Sequence, residues 1–341
     1  MTTSAPGIRR RSLLSAGLGT GIAGLLVACG SVSASTSADS RTVRTVEAPD
    51  PDVPVRARAL AATRALAARY DAVIAKLPAA AGELRPLRQQ LAAQESAFGG
   101  ATASASAASS ASASAPTSGS PSATASSPPP PSVPTTSRST AVTALDAAER
   151  ATARARLKDL AAASPALARQ LASAAADGAQ HSMVLRGSVP AGPAAAPLTR
   201  TALPAASLAA LQAALAAEDT AVYAYGVIGA QLSGDRRTRA TASYQAHRDR
   251  RGALQQRISA TGATPAAAAP AYQLPSPVTD AASAVGLAAL VEDRICAVYA
   301  NAVQATSGPL RGTMAAALRQ AALDTLAWRG SGSAFPGLTH G

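Results

Sequence analysis

From Leu208, steps of three and four residues through Leu211, Leu215, Glu218, Val222 and Tyr225 trace one helical seam, apolar except for a single acid. That spacing is what a helix buried on one face requires. It turns Glu218 inward and leaves its neighbour Asp219 free to face water. Three further seams follow the same rule: Ala240, Tyr244, His247, Arg251, Leu254 and Ile258; Ala288, Glu292, Ile295 and Tyr299; and Ala317, Ala321, Asp324 and Trp328. Periodicity predicts helices over 55–76, 82–98, 141–162 and 165–185 in the first half of the chain. In the second half it predicts them over 207–232, 236–261, 278–305 and 309–329. Four helices plus four imply an all-α protein built as two four-helix bundles in tandem. The two opening helices are also alike. Aligning Tyr70 with Tyr225 sets Thr63 opposite Glu218, which suggests a duplication.

Composition agrees with this reading. The chain is 48% hydrophobic and only 3% aromatic. Alanine, the best helix former and small enough for close helix packing, recurs throughout, and no run of alternating β-branched residues extends far enough for a strand.

Low-complexity stretches mark the divisions. Residues 1–28 read as an export signal: basic Arg9, Arg10 and Arg11, an apolar stretch too short to span a bilayer, then Leu26, Val27, Ala28 and Cys29. That tetrad resembles a bacterial lipobox, in which Cys29 is acylated and becomes the first mature residue. The arginine pair Arg10 and Arg11 with Ser12, Leu13 and Leu14 resembles a twin-arginine signal, which implies export in the folded state. The expected location is the outer face of the cell membrane. Residues 29–54 read as a tether, 55–98 with 140–186 as a degenerate bundle interrupted by a disordered Ala/Ser/Pro insertion at 99–139, 187–206 as a linker, and 207–337 as the second bundle. With Cys29 acylated, Cys296 is the only remaining cysteine, so no internal disulfide can form.

Charge narrows the partners. Removing residues 1–28 takes away three arginines and no acid, so the formal charge falls from +12 to +9. Arg236, Arg237, Arg239, Arg248, Arg250 and Arg251 crowd one helix, which suits anionic lipid or envelope polymer better than nucleic acid, or is simply a solvated face.

One polar group per helix, Glu218, His247, Glu292 and Asp324, is the layout of a carboxylate-bridged metal site in a bundle. The segments "LQAALAAEDTAVYAYG", "YQAHRDRR", "VEDRICAVYA" and "AALDTLAWR" together resemble the ferritin-like domain, of unassigned function, found in exported proteins of high-GC Gram-positive bacteria. The resemblance covers about residues 208–337, more faintly the first half. It implies an antiparallel four-helix bundle whose ancestors carried a carboxylate on two helices and a Glu-x-x-His pair on each of the others. This chain departs from that set: Tyr244 stands three residues before His247, and Ala327 three residues after Asp324. In the first half Glu149 and His181 survive, with Gly178 at the carboxylate place, Thr63 opposite and Gln94 on the second helix. The chain has three histidines, one of them His340 in the tail, too few for two di-iron centres.

Two readings of the second-half cluster follow. In the first, Glu218, His247, Arg251 and Glu292 form a buried hydrogen-bonded charge cluster in place of metal, no cofactor is expected, and the protein is a binding or scaffold protein. In the alternative, Glu218, His247, Glu292 and Asp324 hold iron or another divalent metal in a reduced site of an oxidoreductase or iron-handling protein. Nucleotide, hydrolase and thiol-redox chemistry have no motif to stand on. Tyr223, Tyr225, Tyr299 and Trp328 read as core or as pocket lining.

Overall fold

A computed structural model describes residues 50–110, 137–198 and 200–338. The export signal, Arg10, Arg11 and Cys29, the greater part of the tether, residues 111–136 of the insertion, and His340 lie outside the described residues.

The described chain is all-helical, and the described residues form one compact unit. The helices are α1 (Asp52–Lys76), α2 (Ala81–Ser110), α3 (Arg138–Asp159), α4 (Pro165–Arg186), α5 (Ala205–Ala230), α6 (Gly234–Ala260), α7 (Ala281–Ala305) and α8 (Gly308–Arg329). Their ends follow local chemistry. Ser137 caps α3 by accepting from the Thr140 amide at 3.2 Å, and Ser164 caps α4 with Pro165 as first helical residue. Asp280 and Ser283 form a capping box on α7. Gly187 and Gly330, at φ 70° and 77°, terminate α4 and α8 in the left-handed conformation that glycine adopts without cost.

Each half repeats one packing scheme. α1 lies on α2, α3 on α4, and α1 crosses to α3; α5 lies on α6, α7 on α8, and α5 crosses to α7. Contacts such as Tyr70 to Glu149 and Thr63 to Arg156 show that α1 and α3 run antiparallel. Tyr225 to Glu292 and Glu218 to Tyr299 show the same for α5 and α7. In the second bundle the long connection, 261–280, lies between the second and third helices.

One core spans both halves, beside a smaller one of the first half alone that includes Leu66, Tyr70, Leu84, Leu91 and Leu145. Leu167, Leu171 and Phe98 of the first half belong to the same buried apolar cluster as Leu211, Leu215, Ile228, Val303 and Leu318 of the second. α4 packs on α3, α7 and α8. Every residue from Leu171 to Ser182 of α4 is buried, and alanine, serine and glycine at most of these positions let three helices approach it. The tail after α8 completes the join. Phe335 packs edge-on against Phe98, and Ser173 Oγ donates to the Pro336 carbonyl at 2.8 Å. Gly337, at φ 76°, passes so close to α7 that an added Cβ would lie 2.4 Å from the Cys296 carbonyl oxygen.

Several boundaries differ from those read in the sequence. α1 begins at Asp52, inside the expected tether, because the Asp52 carboxylate accepts from both the amide and the hydroxyl of Ser164 and pins its own first turn to the start of α4. α2 runs past Gly99 to Ser110, since an alanine-rich chain without proline continues a helix already begun. Residues 187–204 are irregular, as expected of a linker, yet they are docked. Arg319 donates to the Pro190 carbonyl at 2.7 Å, Arg257 to that of Ala196 at 2.6 Å, and the Ala196 amide to Thr313 Oγ1 at 2.9 Å. No described helix is long and apolar enough to cross a membrane.

Candidate functional site

The inward acid of α5 sits at the centre of a buried polar cluster, in which Glu292 Oε2 alone of the two glutamates' oxygens has no hydrogen-bond partner. Glu218 and His247 are both fully buried, with Glu218 Oε2 2.7 Å from His247 Nδ1. The other ring nitrogen, Nε2, lies 3.1 Å from Glu292 Oε1. Tyr299 donates to Glu218 Oε1 at 2.6 Å, and Tyr225 to Glu292 Oε1 at 2.5 Å. The Tyr225 ring stacks on the imidazole at 5.0 Å. Arg250 Nε donates to Glu218 Oε1 at 3.2 Å, and its guanidinium reaches 3.8 Å from Asp324.

The protonation state follows from this geometry. Burial pushes the His247 pKa down, but the hydrogen bonds to Glu218 and Glu292 outweigh it and raise it to about 9. His247 is therefore an imidazolium donating to a carboxylate on each side. An Arg250 nitrogen lies 2.9 Å from Nδ1. The positive charge of Arg250 at this distance lowers the His247 pKa against the pull of the two carboxylates. Burial and the charge of Glu292 raise Asp324 to about 7 against the pull of Arg250. Tyr225 and Tyr299 are raised, first by burial and then by their carboxylate partners. Two cations thus face two carboxylates, with a third acid at the rim.

Glu218, His247 and Glu292 are brought together as their seams predicted. Asp324 is at the edge, its side chain 24% exposed, held by Gln320 and facing Arg250. Arg250, and not Arg251, enters the cluster. Both residues follow His247 within one turn, but the three-residue step aims at Glu218, whereas the four-residue step carries Arg251 to 3.7 Å from Asp219. Asp219 is accordingly buried at 5% exposure and does not face water as its position suggested. Tyr225 and Tyr299 are hydrogen-bond donors to the cluster, while Tyr223 is exposed against Tyr272.

A metal does not fit this donor set. The guanidinium of Arg250 brings a cation among the carboxylates, and each ring nitrogen of His247 already faces a carboxylate, so a metal would have to displace these contacts. Among the described residues, no group of three or more histidine, cysteine or carboxylate side chains is placed to hold a metal ion.

The first bundle has a second cluster. His181 Nδ1 is 2.6 Å and Tyr70 OH 2.7 Å from Glu149 Oε1, while His181 Nε2 faces Gln90 at 2.7 Å and Asp177 at 3.3 Å. Arg156 donates to Thr63 Oγ1, to Gln94 Oε1 and to the Ala174 carbonyl. Gln94 in turn donates to Asp177 and to Ala334 of the tail. Burial lowers the His181 pKa, but Asp177 and Glu149 overcome this and lift it to about 9; burial raises Asp177 to about 7. Glu149, His181, Gln94 and Thr63 were legible in the sequence. Arg156, Asp177 and Gln90 were not, although Asp177 lies one helical turn before His181 and Arg156 two turns after Glu149.

Residues 210–340 match the family described as a domain of unknown function, DUF4439. The match is confined to the C-terminal bundle. The chain is similar to a conserved hypothetical protein from Mycobacterium tuberculosis, known from a crystal structure, with 32% identity over 37% of this chain and 89% of that one and a TM-score of 0.36. No curated protein matches the chain. The DUF4439 bundle contains the whole Glu218 cluster, and the tail that supplies Ala334 and Gly337 to the join also falls within it.

Proposed function

We propose that this chain is a cell-envelope lipoprotein, exported through the signal at Arg10 and Arg11, anchored by acylated Cys29, and acting outside the membrane as a binding or scaffold protein. The observation that carries the non-catalytic part is the charge balance of the Glu218 cluster, in which His247 and Arg250 take the role a metal would have had. Such a cluster specifies the fold and leaves recognition to the surface. The basic face of α6 is narrower than its sequence suggests. Arg250 and Arg251 turn inward, whereas Arg236, Arg237, Arg239 and Arg248 remain exposed, Arg239 donating to the Ala327 carbonyl and lying over Trp328. These four are the arginines available to anionic lipid or envelope polymer.

Fractionation of cells expressing the native chain beside Cys29→Ser tests the anchor: the native protein is expected in the membrane fraction with an acylated Cys29 peptide, and the variant outside it. Equal membrane retention of both would refute acylation at Cys29. Affinity capture from envelope extracts tests the binding role, and failure to recover any reproducible protein, lipid or polymer counts against it. Binding to anionic vesicles through the arginines should weaken as salt rises; salt-independent binding rules that contact out.

A further inference from the structure

Residues 189–193 run over α3, α4 and α8 and roof a cavity of about 320 Å³ that neither polar cluster uses. Its floor is small and apolar, with Ala153 and Leu157 from α3 and Ala175, Gly178 and Ala179 from α4. Its polar lining is Arg150, Arg154, Arg319 and Ser182, without an acid. Asp146 engages Arg150 at 3.0 Å, but neither Arg154 nor Arg319 has a carboxylate partner among the described residues. Arg319 is fixed by its hydrogen bond to the Pro190 carbonyl, which places a held cation at the roof. Ser182 is 1% exposed, and its Oγ has no hydrogen-bond partner; the Arg150 Nε is buried and likewise unpartnered. Buried donors are almost always satisfied, so two orphans on one cavity point to a missing acceptor. Glu149 lies beneath the floor, its Oε2 3.3 Å from where a Cβ on Gly178 would stand, and is not part of the lining.

A cavity of this size with an apolar body and a few convergent polar groups has the dimensions of a small-molecule site. We infer that it binds a small amphiphile with one anionic head, carboxylate or phosphate, and one alkyl chain. The head meets Ser182 and the guanidinium groups of Arg150, Arg154 and Arg319; the chain lies on Ala153, Leu157 and Ala179. The alanine floor excludes a branched or bulky body, and three arginines without a lining acid exclude a cationic head. The inference concerns a site apart from the membrane anchor and from the Glu218 cluster, and it stands whether or not Cys29 is acylated.

Isothermal titration calorimetry on the whole mature chain tests it, with decanoate, decyl phosphate, decyltrimethylammonium and inorganic phosphate as probes, each below its micelle concentration. Saturable one-to-one binding of decanoate or decyl phosphate is expected, with none of the cationic amphiphile. Preference for decanoate points to a free fatty acid, and preference for decyl phosphate to a phospholipid-derived ligand. Arg154→Ala, at an exposed position, is expected to weaken binding about tenfold, as loss of one charge-assisted hydrogen bond does. Ala179→Leu, which fills the cavity, is expected to abolish binding, and Ser182→Ala provides a milder variant if the leucine disturbs the helical circular dichroism. Binding of the cation as tight as that of the anions, binding of inorganic phosphate as tight as that of decyl phosphate, or no binding of either anionic amphiphile overturns the inference. Decanoate binding unchanged in both Arg154→Ala and Ser182→Ala overturns it as well.

Discussion

The two bundles carry the same polar framework and neutralise it by different routes. In each, a tyrosine of the first helix donates to a glutamate of the third: Tyr70 to Glu149 and Tyr225 to Glu292. In each, the residue two turns before that tyrosine meets the residue two turns after that glutamate: Thr63 with Arg156, and Glu218 with Tyr299. The cations differ in origin. The first bundle takes arginine from α3 and histidine from α4, the second takes both from α6. A bundle core that must seat two acids therefore constrains the count of cations more tightly than the helix that supplies them. That repeat of paired contacts also makes duplication of one bundle the simplest origin for both.

The comparison breaks most sharply at the first-helix position. Glu218→Ala leaves His247 and Arg250 short of their shared carboxylate and is expected to cost about 3–5 kcal/mol, as breaking a buried charge pair does. Thr63→Ala, its counterpart, removes one hydroxyl acceptor and should cost about 1 kcal/mol. Urea denaturation followed by circular dichroism measures both, and equal losses would show that the two positions are not differentiated as described. Tyr70→Phe and Tyr225→Phe sharpen the shared part of the framework. Each removes a donor to a buried carboxylate, so each should cost about 1–3 kcal/mol, and values that differ severalfold would undo the equivalence.

Acidity provides a smaller effect common to both halves. His181 and His247 keep their protons to about pH 9 in the fold, against an ordinary value of 6.5. The folded state thus binds the additional proton between these values, and their contribution, complete below pH 6.5, is lost as pH rises toward 9. Asp177 and Asp324, raised to about 7 from an ordinary 3.8, act in the same direction below pH 7. The denaturation midpoint should therefore fall as pH is raised from 5 to 9. His181→Gln and His247→Gln should each flatten the upper part of that slope; a midpoint flat or rising from pH 6.5 to 9 in the native chain would contradict both imidazolium assignments.

The helices were legible because alanine-rich amphipathic segments of this length leave little choice of secondary structure. Glu218, His247 and Glu292 were legible because a single polar group on an apolar seam must point at something. Arg250 was not, because residues three and four beyond His247 occupy the same face, and only packing decides which one reaches Glu218. Arg156 escaped as one of several cations along α3, and Asp177 for a related reason. α4 is buried on all sides, so its sequence has no polar face against which an inward acid stands out. The tail was also obscure: nothing local to Ala334 or Gly337 says that they close against Gln94 and Cys296, since both contacts are long-range. The docking of residues 187–204 rests likewise on arginines of distant helices meeting its carbonyls.

In the C-terminal bundle His247 and Arg250 offset the charge of Glu218 and Glu292 in place of a metal. Elemental analysis of the purified mature chain after incubation with iron, manganese and zinc, beside Glu218→Ala, tests it directly. The expected result is no stoichiometric metal in either protein, together with a large loss of stability in the variant. Near one metal ion per native chain, lost in Glu218→Ala, would contradict it and restore the cluster as a metal site.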